Sequence, residues 1–453
     1  MIYIVRPGDT LFALARRFNT TIESIMALNN LTTVNLLVGQ RLVIPLYTEV
    51  VVNVDRSNVR TGPGVNFPVK TVMVRGARLP VTGDVQGWYR VVLYDESDGW
   101  ISANNVIRNV YGGQKPIVVN VGFYTLEEGP TLPSSFNSFV NNTAQISQLP
   151  LFMWRISQFN PTLVEKFGEF TDQEVRTLVA IAHRNNIKIM PVVHNLLYRP
   201  GGVTLAKEIV RELVRVPQNR TAFAFSLVRL IEQYNFDGVN IDIEDVYIED
   251  SQNLSALYLE ISRVLRSRGY YFSASVPARI SDEPFNPFSD PFDYSVIGRA
   301  VDQFIVMLYN EFGWPGSPPG PPVTIGWMER VVRYTMTKMP AWKIVAAVSV
   351  FGFDFNLDTG RNTYVTYEMA VNRARNYGSE IIFDEKTQTP MFSYTDSEGN
   401  RHEVWFEDAR SLKAKIGLAW RLGIRGVALW RLGMEDPGIW TMLANEVVVK
   451  KVY

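Results

Sequence analysis

The run Asp237-Gly238-Val239-Asn240-Ile241-Asp242-Ile243-Glu244 alternates polar and apolar residues. A period of two is the mark of a β-strand with two unlike faces. Ile241 and Ile243 point one way, and Asn240, Asp242 and Glu244 point the other. Desolvating a carboxylate is costly unless the group is paired or at work. Carboxylates two residues apart on a strand lie ~6–7 Å apart, close enough for one to raise the pKa of the other and keep it protonated as an acid. That is the equipment of a glycosidase site, although a structural ion network inside a barrel gives the same pattern. An edge strand is disfavoured, because the run is Ile/Val-rich and follows an amphipathic helix, Ala222 to Tyr234, carrying Phe225, Leu227, Leu230 and Ile231.

Working outward, strand-like and helix-like patterns alternate from about residue 115 to 453. Candidate strands are Ile117–Val121, Leu151–Trp154, Ile187–Val193, Val239–Ile243, Phe272–Val276, Gln303–Tyr309, Ile344–Val350 and Gly426–Trp430. Helical patterns such as Thr171–Asn185, Leu254–Ser267 and Ala409–Leu422 lie between them. The alternation predicts an α/β fold, a (β/α)8 TIM barrel. Too much chain separates the last two strands for a loop. Residues 362–406, with strand-like pieces around Ile381–Asp384, Met391–Tyr394 and Val404–Phe406, read as a small α+β insertion forming one wall of the cleft. The Pro/Gly-rich segment Glu311 to Pro322 follows strand six and reads as a semi-rigid loop on the catalytic face.

Two smaller modules precede this barrel, joined to it by the linker-like Tyr111-Gly112-Gly113-Gln114-Lys115-Pro116. Residues 1–46 read as a βααβ unit. Ile2-Tyr3-Ile4-Val5 opens it, Asp9 or Thr10 caps a helix Leu11 to Phe18, a second helix spans Ile22 to Leu28, and a strand ends at Pro45. The text VRPGDTLFALARRF…TTIESIMALNNL…LLVGQRLVIP resembles a LysM domain. The resemblance implies a groove for glycan containing N-acetylglucosamine, between the loop with Asp9 and Thr10 and the loop with Asn30 and Leu31. Residues 50–110 are rich in β-branched residues and turn glycines, which predicts a small all-β barrel. This stretch resembles a bacterial SH3-like domain, with Trp88 and Trp100 at that family's structural aromatic positions. It serves either as a spacer or as a ligand site.

Composition narrows the function classes. The formal net charge of +0 argues against nucleic acid as a partner, since phosphate binding needs a basic surplus. With no cysteines there are no disulfides or thiolate metal sites. The histidines His183, His194 and His402 stand far apart and in no ligand spacing, so neither a metal nor another cofactor is expected. No apolar run is long enough to cross a membrane as a helix. The 10 Trp and 20 Tyr suit sugar stacking, though most of them are needed for the core.

DGVNIDIE is similar to the signature of glycoside hydrolase family 18, the chitinase family, D-G-x-D-x-D-x-E. The resemblance covers the whole third module. It implies a retaining reaction assisted by the substrate, an exception to the usual two-carboxylate scheme. Glu244 would protonate the glycosidic oxygen and later activate water. Asp242 would hold the substrate's acetamido N–H and stabilise positive charge. Asn240 stands where the family has a third acid. Its amide can hydrogen-bond Asp242 but cannot share a proton with it, so the acidic limb of the pH profile is expected to change. Tyr309 would hold the acetamido carbonyl, and Trp430 would form the apolar floor under the sugar. Asn310 replaces the family's Asp; with Tyr124 it completes the expected sugar-binding set. Asp237 would be a structural carboxylate anchoring the turn into strand four.

The three modules together resemble the spore-cortex hydrolases of endospore-forming bacteria. The expected reaction is cleavage of β-1,4 bonds following N-acetylglucosamine in wall peptidoglycan. Chitin cleavage and silent glycan binding are the alternatives, and retention of Glu244 argues against silence. A monomer is expected. Met1 leads directly into strand-like sequence rather than a Sec-type leader, so the expected location is the spore coat and cortex, or otherwise the cell wall.

Overall fold

The computed structural model describes residues 2–18, 22, 25–26, 29, 31–44, 47–93, 97–111, 115–128, 132–199, 202–284, 286–309 and 311–451. The chain divides into two compact units. The first holds Met1–Ile117, Ala182–Ile187 and Glu446–Tyr453; the second holds Val118–Ile181 and Lys188–Asn445.

Within the first unit, Ile2–Ile4 pairs antiparallel with Arg41–Val43, Tyr3 opposite Leu42. The helix between them, Leu11–Arg17, is capped by Thr10, whose side chain accepts from Ala13 N–H. Asp9 does different work: its carboxylate accepts from Tyr3 O–H and from Arg6 N–H, both at 2.7 Å, and so ties the loop to the strand. Tyr3, Val5, Leu11, Leu14, Ile25, Leu42 and Ile44 form the module's core. Most of the expected second helix lies outside the described residues.

The neighbouring all-β module is a seven-stranded antiparallel sheet from Tyr47 to Tyr111. Its core is aliphatic, with Val50, Val59, Leu79, Val91 and Ile101 among its fully buried residues. Trp88 and Trp100, the expected structural aromatics, are half-buried on adjacent strands.

The second unit carries the barrel. Its strands are β1 (Ile117–Gly122), β2 (Gln148–Ile156), β3 (Lys188–His194), β4 (Gly238–Asp242), β5 (Tyr271–Pro277), β6 (Gln303–Met307), β7 (Ile344–Ser349) and β8 (Gly426–Trp430). Each pairs in parallel with the next, and β1 pairs with both β8 and β2, which closes the barrel. Close strand approach explains the glycine that opens β4: a Cβ on Gly238 would fall 2.0 Å from the Tyr271 carbonyl oxygen. The interior is layered. At the strands' N-terminal ends Gln148 and Gln303 exchange side-chain amide hydrogen bonds at 3.0 and 2.8 Å, and Lys188 Nζ sits 3.1 Å from the centre of the Tyr271 ring. Above them Val119, Val121, Val192, Ile305, Val345, Ala347 and Ala428 form an apolar layer.

The insertion begins earlier than the sequence suggests. A five-stranded antiparallel sheet includes Gly352–Asn356, directly after β7, and runs on to Arg401–Trp405, with the helix Tyr367–Tyr377 packed on it. The loop after β6 is held at both ends. Glu311 N–H donates to the Pro322 carbonyl at 2.9 Å, and the Glu311 carboxylate accepts from Thr324 N–H at 2.7 Å. Gly313, with φ +102°, lies against Phe353, where a Cβ would meet the ring at 2.0 Å.

Candidate active site

β4 carries Asn240 and Asp242 on the face turned into the barrel, and Glu244 follows just past the strand's end. Sheet hydrogen bonding has stopped at Glu244, so another group must hold its main chain. Asn195, after β3 and 1 % exposed, does so: its Oδ1 accepts from Glu244 N–H at 2.9 Å and its Nδ2 donates to Glu244 O at 2.8 Å. The next residue, Asp245, adopts φ 51° and pairs with Lys207 Nζ at 2.8 Å. Neither Asn195 nor Asp245 stands out in the sequence, because each owes its role to the place where a strand stops.

Burial pushes the Glu244 carboxyl up to about 7, and the charge of Asp245 adds to the rise. Asp242, 3 % exposed, is raised well above the usual carboxylate range by burial and then by Glu244. Its Oδ1 has no hydrogen-bond partner among the described residues. Asn240 does not supply one. Its Nδ2 donates to Ser273 Oγ at 3.0 Å, and its Oδ1 accepts from Ser275 Oγ at 3.1 Å. This corrects the expected Asn240–Asp242 hydrogen bond. The serines of β5 stand beside Asn240 across the ladder, where Asn240 pairs with Ser273, whereas the next inward residue of the same strand is ~6–7 Å away.

Asp242 and Glu244 open into a cleft of about 960 Å³ at the C-terminal mouth of the barrel, together with Tyr124, Phe152, Tyr309 and Trp430. Trp430 ends β8 and is packed edge-on by Phe123 at 5.4 Å and Phe152 at 5.1 Å between ring centres. Tyr309 stacks on it at 6.0 Å and 25°. The Tyr309 hydroxyl is raised well above its ordinary range, first by burial and then by Asp242 and Glu244, and so remains a donor. Tyr309 lies two residues past β6 rather than at its end. Tyr124, 5 % exposed, is pushed up to about 12 by burial and then by Glu174. The cleft's other lining residues are Met153 of β2 and residues of the segments after β1, β2 and β3. None of these described lining residues belongs to the insertion, which reaches the site through packing: Tyr364 lies at 5.1 Å from Phe351, and Phe351 at 6.5 Å from Tyr309.

Asp237 lies outside the cleft set, and its Oδ2 accepts from Ile189 N–H at 2.7 Å, tying the approach to β4 to β3. Asn310 and Asn30 fall outside the described residues. In the N-terminal module, Thr10 is exposed beside the half-buried Asp9, and Leu31 is partly buried against the module's own core.

The model of the glycosyl hydrolases family 18 matches residues 117–435, that of the LysM domain residues 3–45, and that of the bacterial SH3 domain residues 55–107. Over 420 residues the chain is 27 % identical to a putative sporulation-specific glycosylase of Bacillus subtilis, covering 92 % of this chain and 91 % of that protein. The cortical fragment-lytic enzyme of the same organism is 28 % identical over 294 residues, 64 % of this chain and 67 % of that one. The crystal structure of the Bacillus cereus spore cortex-lytic enzyme superposes with a TM-score of 0.67 at 24 % identity, over 100 % of this chain and 98 % of that chain.

Proposed function

The chain belongs to the glycosyl hydrolases of family 18, and on that premise we propose that it cleaves β-1,4 bonds following N-acetylglucosamine in the peptidoglycan of the spore cortex. The observation that carries the reading is the site on β4: one carboxyl raised to about 7 beside a second buried carboxyl, at the mouth of an aromatic-floored cleft. The names of the similar proteins point the substrate toward cortex glycan.

In this reading Glu244 is the general acid. At neutral pH a substantial fraction carries the proton that the departing glycosidic oxygen needs. The substrate's own acetamido oxygen attacks the anomeric carbon, and the Tyr309 hydroxyl and Asp242 hold the acetamido group in line. The resulting oxazolinium is cationic. Its positive charge favours the charged form of Asp242, which burial otherwise disfavours. Glu244, now a carboxylate, takes a proton from water as the water oxygen bonds to the anomeric carbon and displaces the acetamido oxygen, which reopens the oxazolinium and leaves the product with retained configuration. Trp430 supplies the apolar floor, and Tyr124 contacts the sugar. Asn240 keeps a third negative charge out of this space, and Asp237 has only a structural part.

The LysM module binds N-acetylglucosamine-containing glycan through the region of Asp9, Thr10, Asn30 and Leu31, and holds the enzyme to its insoluble substrate. The three modules span residues 1–46, 50–110 and 115–453. The enzyme works as a monomer, one copy bearing both the glycan-binding module and the complete β4 site. Its place is the coat and cortex of the spore. No helix among the described residues is long and apolar enough to cross a membrane.

Mass spectrometry of products from purified cortex fragments and from chitin oligomers, side by side, tests the proposal. Fragments newly ending in N-acetylglucosamine from cortex are expected. Cleavage of chitin oligomers alone would transfer the assignment to chitin.

A further inference from the structure

Two buried polar atoms that have no partner among the described residues lie on register-paired residues of adjacent strands. His194 ends β3, and its Cα pairs with that of Asp242 on β4. Paired residues of parallel strands project to the same face. That face is the interior, since Val192, two residues before His194, belongs to the apolar layer. The imidazole is 1 % exposed, stacked on Phe152 at 4.1 Å and 14°, with Phe167 edge-on at 4.5 Å. Its Nδ1 accepts from Leu196 N–H at 3.0 Å. The ring hydrogen therefore sits on Nε2, and that donor has no partner among the described residues. Asp242 Oδ1 is an acceptor in the same condition. Buried donors and acceptors seldom stay unpaired.

We infer that His194 is the positioning residue for Asp242: its Nε2–H hydrogen-bonds to Asp242 Oδ1, directly after a small side-chain rotation or through one ordered water. The inference rests on the role of Asp242 proposed above. It accounts for how the carboxylate is oriented when Asn240, the adjacent inward group on the same strand, is committed to Ser273 and Ser275. The donor is a neutral one. Burial, and then the Arg155 guanidinium on β2, hold the ring well below its ordinary pKa. His194 thus orients Asp242 and favours its anion without adding a full charge to the site. The charged group acting on Asp242 is Glu244; Asp242 in turn adds to the rise that burial imposes on the hydroxyls of Tyr309 and of Tyr258, on the helix Ser251–Arg266.

Two substitutions separate positioning from packing. His194→Gln keeps an N–H at similar reach, and His194→Leu removes it at similar bulk. With an aryl glycoside of N-acetylglucosamine oligomer as probe, His194→Leu should lower kcat by roughly tenfold or more with KM changed by less than about twofold. Its acidic limb should move to higher pH, because losing a donor to the anion raises the pKa of Asp242. His194→Gln should recover kcat to within about threefold of the parent. An unchanged acidic limb in His194→Leu, or equal impairment of both variants, would overturn the inference. A second readout does not need turnover. In the full chain labelled with 15N-histidine, the His194 Nε2 resonance, assigned by its loss in His194→Gln, should shift in Asp242→Ala. A resonance that stays in place would also overturn it. If Glu244→Gln kept full turnover, the catalytic reading would fail, and this resonance would still decide whether the pair exists.

Discussion

Asn195 grips Glu244 by both of its main-chain groups, accepting from the N–H at 2.9 Å and donating to the carbonyl at 2.8 Å. The acid is thereby fixed two residues beyond the last sheet residue, Asp242. Replacing Asn195 by Ala leaves both main-chain groups to find other partners and lets the carboxyl drift. A misplacement of about 1 Å is worth up to ~100-fold in rate, so kcat should fall ~10–100-fold, with binding of oligomers by calorimetry little changed.

Removing the acid itself should be far more severe. Glu244→Gln preserves shape and eliminates the proton donor. Turnover should drop by at least ~1,000-fold while glycan affinity persists. Activity within about tenfold of the parent would refute the assignment of Glu244.

The pH dependence follows from the direction of the shift. Glu244 must be protonated to act as acid, and its pKa is raised to about 7. kcat/KM should therefore decline as pH rises through about 7. The same shift acts on stability. The folded chain holds this proton more tightly than the unfolded one, so folding loses stability as pH climbs from the ordinary carboxyl range to about 7. Glu244→Gln should remove both the basic limb and that part of the decline in Tm.

Asn240→Asp puts a third carboxyl beside Asp242, within reach of Ser273 and Ser275. A like charge raises the pKa of its neighbours. The acidic limb should move to higher pH, with maximal rate changed less than the profile. A profile that superimposes on the parent would show that position 240 is uncoupled from the acids.

Deleting residues 1–46 should weaken retention on insoluble cortex and leave cleavage of short soluble fragments nearly intact. A binding module raises effective concentration rather than altering chemistry. Equal pull-down of the full and shortened chains would contradict the anchoring role.

The barrel was legible because its strands are apolar runs spaced by helices, and the acids because a period of two singles them out. The beginning of the insertion was not. Gly352–Asn356 follows β7 so closely that the two read as one strand and its loop. Asn195, Asp245 and His194 were also hidden as site residues. Their significance comes from register across β3 and β4 and from the point where pairing ends, neither of which one strand's pattern records. Asn240 shows the same limit. Its own strand suggested Asp242 as partner, but the serines that hold it belong to β5.

The reciprocal amide pair of Gln148 and Gln303 has a consequence for traffic. With Lys188 laid over Tyr271 in the same layer, and the valines and alanines above, the barrel is plugged from below. A sugar chain has no exit through it. Glycan must lie across the upper mouth, bend its reacting ring down toward Trp430, and depart by the route it came. Any processive movement along a strand of wall polymer must run sideways over the loops rather than by threading.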